Sequence, residues 1–352
     1  MLKKLLLTAA VAVAGYAGAK ADFEDWMVFN QLAVSEDFVW GATNQGLYRY
    51  DKKTGESQVF SNEKMKGLLS VTVMPDGQVA VGAIDDGGIA TFNGTDFDVL
   101  KFAAADRPQR VSSIVCHDGI WATCPYTVVH HTGTGSESFL SEMASSTISS
   151  YRMTSLIYDE KRWTMWYGAS GFGLYTFGQF SPTGGFTQIE APQVNGLYLG
   201  PDGNVYIASS SGMYCYSGGE KAERMNFAED IVSANCYSVS GSGDMLCFNS
   251  YRNLVVGTIG GEFKSYSNSA VASDDFITSV KADGRYIWVA YYKGGLYLFD
   301  NGEFKIANSG VEGVEAEDVE ADDAMYDLQG RRLGAPAKGT IYIQGGKKRV
   351  MR

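Results

Sequence analysis

Gly46-Leu47-Tyr48-Arg49-Tyr50 decides the fold, because the chain keeps returning to it. The cassette, a glycine followed by large apolar and aromatic residues, recurs as Gly88-Ile89-Ala90-Thr91-Phe92, Gly173-Leu174-Tyr175-Thr176-Phe177, Gly212-Met213-Tyr214-Cys215-Tyr216 and Gly295-Leu296-Tyr297-Leu298-Phe299. Weaker copies stand at Thr127–His131 and Asn253–Gly257. A recurrence every 42 residues or about that marks a repeat architecture and overrides the two-domain prior that the length alone would suggest.

What surrounds the cassette repeats as well. A short apolar strand comes first, as in Leu69–Val73, Val111–Val115 and Ile277–Val280. A polar turn follows, among them Pro75-Asp76-Gly77, His117-Asp118-Gly119, Pro201-Asp202-Gly203 and Asp283-Gly284. Asp bonds its own backbone there and Gly accepts positive φ. The second strand is the most apolar, as in Phe38-Val39-Trp40-Gly41, Val205–Ala208 and Tyr286–Ala290, and it scarcely alternates with polar residues. A strand of that kind is buried on both faces, so each sheet must lie between two others. The cassette is the third strand, and a fourth, often with Phe, closes the unit. Seven such units predict an all-β, seven-bladed β-propeller of four-stranded antiparallel blades, with six or eight blades or an open solenoid as alternatives. Trp26–Phe29 precedes the first unit and is expected to be a strand that pairs with the last blade and seals the ring.

The chain has 352 residues, of which 20% are charged and 13% aromatic, a globular composition. A formal charge of −11 argues against a nucleic-acid partner, since phosphate binding needs a basic surface. Residues 1–21 read as a secretory signal peptide: a basic start at Lys3-Lys4, an apolar run from Leu5 to Ala14, and a small-residue cleavage site at Ala19-Lys20-Ala21. No stretch is long enough for membrane insertion, so the protein is expected to be exported, to the periplasm, the cell surface or the medium, and to be a monomer. The five cysteines have neither zinc spacing nor a paired framework, and read as small apolar core residues. The propeller is expected over 22–310. An acidic linker follows at 311–323, where Glu312–Asp323 holds seven acidic residues and no basic one. Residues 324–352, with Tyr326-Asp327-Leu328-Gln329-Gly330-Arg331-Arg332 and Gly339–Val350, form a short basic β-meander.

The runs Val39-Trp40-Gly41-Ala42-Thr43-Asn44-Gln45-Gly46-Leu47-Tyr48-Arg49-Tyr50-Asp51 and Ile287–Ala290 with Gly294–Asp300 resemble the two-component regulator propeller repeat of Bacteroidetes sensor ectodomains. The resemblance covers most of residues 30–307. It implies a propeller exposed outside the cytoplasm that captures a ligand. The chain departs from the sensors in having one ring and no membrane, kinase or DNA-binding segment. The tail is similar to a short form of the type IX secretion sorting signal.

In a propeller, the turns between strands two and three and the connections between blades share one face. The turns supply Tyr126, Phe172, Tyr251, Arg252, Tyr291, Tyr292 and Lys293, and a connection supplies Arg152. Flat aromatics stack on sugar rings or peptides, and guanidinium groups grip carboxylates, so these residues are the expected ligand-binding set for a glycan or a protein segment. Specificity is expected just before the cassette, where the copies disagree: Gln45, Asp86, Tyr126, Phe172, Ser211, Arg252 and Lys293. No catalytic residue, metal site or cofactor is expected. His130 and His131 are adjacent on a strand and point to opposite faces, His117 lies in a turn on the far side, and no nucleophile elbow or phosphate loop occurs. Asp85-Asp86 and Asp274-Asp275 are too far apart in the ring for paired-carboxylate hydrolysis. The alternatives are a polysaccharide- or lactone-acting hydrolase or lyase with a metal in the central channel, and a structural part of a surface or secretion assembly.

Overall fold

The computed structural model describes residues 27–85, 88–102, 108–133, 135–139, 152–171, 176–181 and 185–307, and four short strands beyond them. Within Met1–Gly310 the described strands form seven four-stranded antiparallel sheets, each built from four consecutive strands of the chain. The first blade is β1 (Phe29–Val34), β2 (Phe38–Thr43), β3 (Gly46–Asp51) and β4 (Ser57–Phe60). The second is β5 (Leu68–Val73) to β8 (Phe97–Val99), and the third is β9 (Ile114–Cys116) to β12 (Gly135–Phe139). The fourth is β13 (Arg152–Asp159), β14 (Thr164–Ser170), β15 (Phe177–Phe180) and β16 (Phe186–Ile189). The fifth runs from β17 (Gly196–Leu199) to β20 (Glu223–Arg224). The sixth is β21 (Val239–Ser242), β22 (Met245–Ser250), β23 (Asn253–Thr258) and β24 (Phe263–Tyr266), and the seventh is β25 (Ile277–Asp283), β26 (Tyr286–Tyr291), β27 (Gly295–Asp300) and β28 (Glu303–Ile306).

The second strands are buried as their composition requires: every residue of Val79–Ala83, Ile120–Cys124 and Val205–Ser209 is inaccessible. Each blade packs against the next through its own apolar cluster, one at each of the seven junctions. Trp40 packs with Val71 and Phe92 between the first two blades, and Trp121 with Leu156 and Phe180 between the third and fourth. The cassette glycine has two reasons to be glycine. Gly46 sits at φ +128°, and a Cβ there would lie 2.3 Å from the Phe60 carbonyl oxygen.

Two expectations need correction. The first concerns ring closure. β1 begins at Phe29 and pairs with β2 as the innermost strand of the first blade, and the seventh blade is complete without the segment before it, of which Trp26 lies outside the described residues. The seam is closed by side chains instead: Phe29, Leu32, Val39 and Tyr48 pack on Trp288, Ala290 and Leu296. The second concerns the cassette of the fourth blade. β15 starts at Phe177, opposite Gly168, so only the last cassette residue enters the strand, while residues 172–175 lie outside those described.

The inner strands present an unpaired edge to the centre of the ring, and polar side chains cover it across the junctions. The Leu32 amide donates to Ser279 Oγ at 3.1 Å, Val71 to Gln31 Oε1 at 2.9 Å, Leu156 to Ser113 Oγ at 3.1 Å, and Val280 to Ser238 Oγ at 3.0 Å. At the other junctions the side chain donates: Ser70 to the Val111 carbonyl, Thr154 to Val194 and Asn195 to Cys236, at 2.7, 2.7 and 2.8 Å. All seven junctions are therefore stitched.

A second unit, Val311–Arg352, holds a separate sheet of Met325–Tyr326, Arg332–Leu333, Ile341–Gln344 and Lys347–Val350. Met325–Tyr326 is an inner strand there, pairing with both of the next two. The expected leader at 1–21 and acidic linker at 311–323 lie outside the described residues.

Candidate ligand-binding site

The strand order places the two- to three-strand turns and the inter-blade connections on one rim, and there the sixth and seventh blades bring aromatic rings together. Tyr251 follows β22 and Tyr292 follows β26, while Phe276 ends the connection into β25. Their rings run nearly parallel: Tyr251 to Phe276 at 5.9 Å and 15°, Phe276 to Tyr292 at 5.0 Å and 13°. Tyr237, from the preceding connection, tilts against Phe276 at 5.7 Å. Tyr251 and Tyr292 remain 40% and 37% exposed, a large apolar surface to leave in water without a partner.

Two buried polar residues hold this ladder. Asn249, fully buried in β22, accepts from the Tyr237 and Ser238 amides at 2.7 and 2.9 Å and donates to the Asn235 and Tyr251 carbonyls at 3.1 and 3.3 Å. Asn235 and Tyr251 both lie at positive φ, 50° and 52°, which costs a non-glycine residue about 1 kcal/mol each. One carboxamide thus fixes two strained residues and the connection between them. Asp275, 2% exposed, accepts from the Phe276 amide at 2.8 Å and from the Lys293 amide with both oxygens at 3.1 Å. It ties the Tyr292 turn to the Phe276 loop. With its oxygens committed to backbone, Asp275 is an organiser of the site.

The expected site residues divide accordingly. Tyr251, Arg252, Tyr292 and Lys293 come together at the sixth and seventh blades, and the Arg252 guanidinium donates to the Ser273 carbonyl at 3.0 Å. Tyr126, 47% exposed, and exposed Arg152 lie at the third and fourth blades, linked by the Met153 amide to the Pro125 carbonyl at 3.1 Å. Among the described residues no hydrogen bond or ring contact joins them to the ladder. Tyr291 is a correction: it is 1% exposed and packed edge-on to Tyr297 at 5.6 Å, because β26 runs through it and turns its ring into the core. Burial pushes its phenol well above the ordinary range. Phe172 and Asp86 lie outside the described residues.

Phe276, Tyr237, Asp275 and Asn249 were not among the expected site residues. Asn249 carries a sequence signal. Ala42, Ala208 and Ala290 occupy the position opposite the first large cassette residue in other blades, paired with Leu47, Met213 and Leu296, and Asn249 pairs with Leu254 in the same way. The second and third blades have Gly82 and Thr123 there, and a carboxamide at a position otherwise held by small residues marks a polar duty.

The histidines occupy separate places. His130 stacks on Trp121 at 3.8 Å with Nε2 2.9 Å from the Asp118 carbonyl, and His131 Nδ1 is 2.8 Å from Ser136 Oγ. Among the described residues no group of three or more His, Cys, Asp or Glu side chains could hold a metal ion. The same residues contain no helix long and apolar enough to cross a membrane.

The chain matches no protein-family model and no curated protein sequence. Solved structures do match. A catalytically inactive virginiamycin B lyase from Staphylococcus aureus with quinupristin is 14% identical with a TM-score of 0.62, over 77% of this chain and 94% of that one. The extracellular domain of a hybrid two-component system from B. thetaiotaomicron is 17% identical with a TM-score of 0.59, over 93% of this chain and 47% of that one. Kuenenia stuttgartiensis hydrazine synthase is 10% identical with a TM-score of 0.61, over 82% of this chain and 99% of that one. At these identities the likeness is one of fold, and the fold is a β-propeller.

Proposed function

We propose that the chain is an exported, non-catalytic binding propeller that captures a glycan or a protein segment on its loop face. The observation that carries this reading is the ladder Tyr251–Phe276–Tyr292, held by Asn249 and Asp275 before any ligand arrives. Binding sites gain affinity when rigid aromatic anchors are ordered in advance, since little entropy remains to be lost. The fold-level likeness to a sensor ectodomain and the leader expected at 1–21 support export. The test is binding to glycan and peptide arrays by the full chain and by a Tyr251→Ala, Tyr292→Ala double variant. Loss of the captured ligand in the variant is expected; equal binding by both proteins would reject this face.

A further inference from the structure

The opposite rim carries an aromatic residue that the ladder does not account for. The hairpins between first and second strands turn there, and in five blades a glycine takes the positive-φ position: Gly77, Gly119, Gly203, Gly243 and Gly284, at φ +85°, +121°, +80°, +54° and +59°. The hairpin between β13 and β14 is different. It places Trp163 at φ +54°, a conformation that a bulky side chain adopts only under constraint. The constraint is visible. Asp159, 2% exposed, accepts from the Arg162 amide at 3.1 Å and from its guanidinium at 2.7 Å, and the same guanidinium reaches the Gly203 carbonyl of the next blade at 2.9 Å. Held this way, Trp163 is 68% exposed, whereas Trp40, Trp121, Trp166 and Trp288 are all at or below 6%.

Beside it the His117 ring stacks on Tyr158 at 3.7 Å and meets the indole edge-on at 6.3 Å. The Asp118 carboxylate, 83% exposed, lies 3.5 Å from His117 Nε2. No other hairpin of this set exposes a large apolar side chain among the described residues. A protein interface needs a wider apolar patch than one indole. A single flat ring fringed by an imidazole and a carboxylate suits a pyranose, whose C–H face covers the indole while its equatorial hydroxyls meet the polar fringe.

We infer that Trp163, with His117 and Asp118, forms a saccharide subsite on this rim for pyranoses with equatorial hydroxyls. It is distinct from the ladder and does not depend on it. The test uses the full chain with cellohexaose and xylohexaose as probes, followed by calorimetry and by acrylamide quenching of tryptophan fluorescence. The expected result is binding of at least one probe, shielding of the indole from quencher, and an affinity about tenfold or more lower in Trp163→Gly. Glycine relieves the backbone strain, so that variant should unfold at the same or higher urea concentration, which separates loss of the site from loss of the fold. Trp163→Phe should bind with intermediate affinity, and the Tyr251→Ala, Tyr292→Ala protein should bind these probes like the parent. Absence of binding by both probes, undiminished binding by Trp163→Gly, or binding lost only in the double tyrosine variant would overturn the inference.

Discussion

At the scale of single residues, the candidate site depends on buried polar groups more than on the aromatics they display. Asn249 is the sharpest case. Replacing it with alanine would leave the half-buried Tyr237 and Ser238 amides without their acceptor, at a cost of about 1–3 kcal/mol, while the Asn235 and Tyr251 carbonyls keep the Tyr251 and Ile277 amides as donors. It would also free Tyr251 from its left-handed conformation. Asn249→Ala is therefore expected to lower the urea midpoint and to weaken the near-ultraviolet dichroism of the stacked rings. Asn249→Asp should not restore either, because a carboxylate would face the Asn235 and Tyr251 carbonyl oxygens without a proton to offer. Unchanged stability in both variants would reject this role. The exposed half of the site was legible: Tyr251 and Tyr292 sit in turns flanked by cassettes, where loop aromatics invite attention. Tyr291 misled because the extra residue lies in the turn: three residues separate Tyr291 from Gly295 where two separate Thr43 from Gly46, so Tyr291 takes the last strand position that Thr43 holds in the first blade. Phe276 and Tyr237 come from connections with no periodicity, so nothing in their neighbourhood announces that they converge.

At the scale of elements, the cassette and the polar hairpins gave the blades away, because short apolar runs bounded by glycine turns are local properties. The stitching between blades is not local. Ser70 and Ser279 stand in apolar strands and Ser113 just before one, and they look like dilution of the pattern, yet each is buried and bonded to the neighbouring inner strand or the connection before it. The Leu156 and Leu32 amides and the Val111 carbonyl that they satisfy have no strand partner on that side, so an unfilled one costs its full desolvation. Ser113→Ala is expected to destabilise by about 1–3 kcal/mol, since the Leu156 amide loses its only side-chain acceptor in a buried setting. Its neighbour Ser112 bonds an exposed turn carbonyl at 3.3 Å, and Ser112→Ala should stay within about 0.5 kcal/mol of the parent. Chemical denaturation of the two variants side by side checks this, and equal effects would mean that the inner edge is satisfied by water.

At the scale of the whole molecule, closure gives every blade two neighbours, which an open solenoid denies to its ends. Among the described strands the seam between β25 and β1 has no strand exchange; the Trp288–Leu32 cluster, the Ser279 bond and the Lys52–Asp283 ion pair at 2.6 Å close it, so side chains join it as they join the other six junctions. The ring should then unfold as one unit, and the cysteines can report it. Cys116 and Cys124 lie in the third blade; Cys215, Cys236 and Cys247 belong to the fifth and sixth. Burial pushes the thiols of Cys116 and Cys215 up to about 11 and those of Cys124, Cys236 and Cys247 up to about 12. At pH 8 the reactive thiolate is therefore roughly one part in a thousand or less of each native thiol. Native protein should react slowly with a disulfide reagent, and in urea the third-blade pair should become reactive at the same midpoint as the other three. Earlier release of either group would show blades melting separately and would sink the single-unit account. The same shifts set the alkaline limit. The unfolded chain sheds these protons near pH 9 and the folded chain only near 11–12, so stability is intact below pH 9 and falls as pH rises through that window. A urea midpoint that is flat from pH 7 to 8.5 and declines above 9 is the expected profile, and replacing Cys247 with alanine should make the decline shallower.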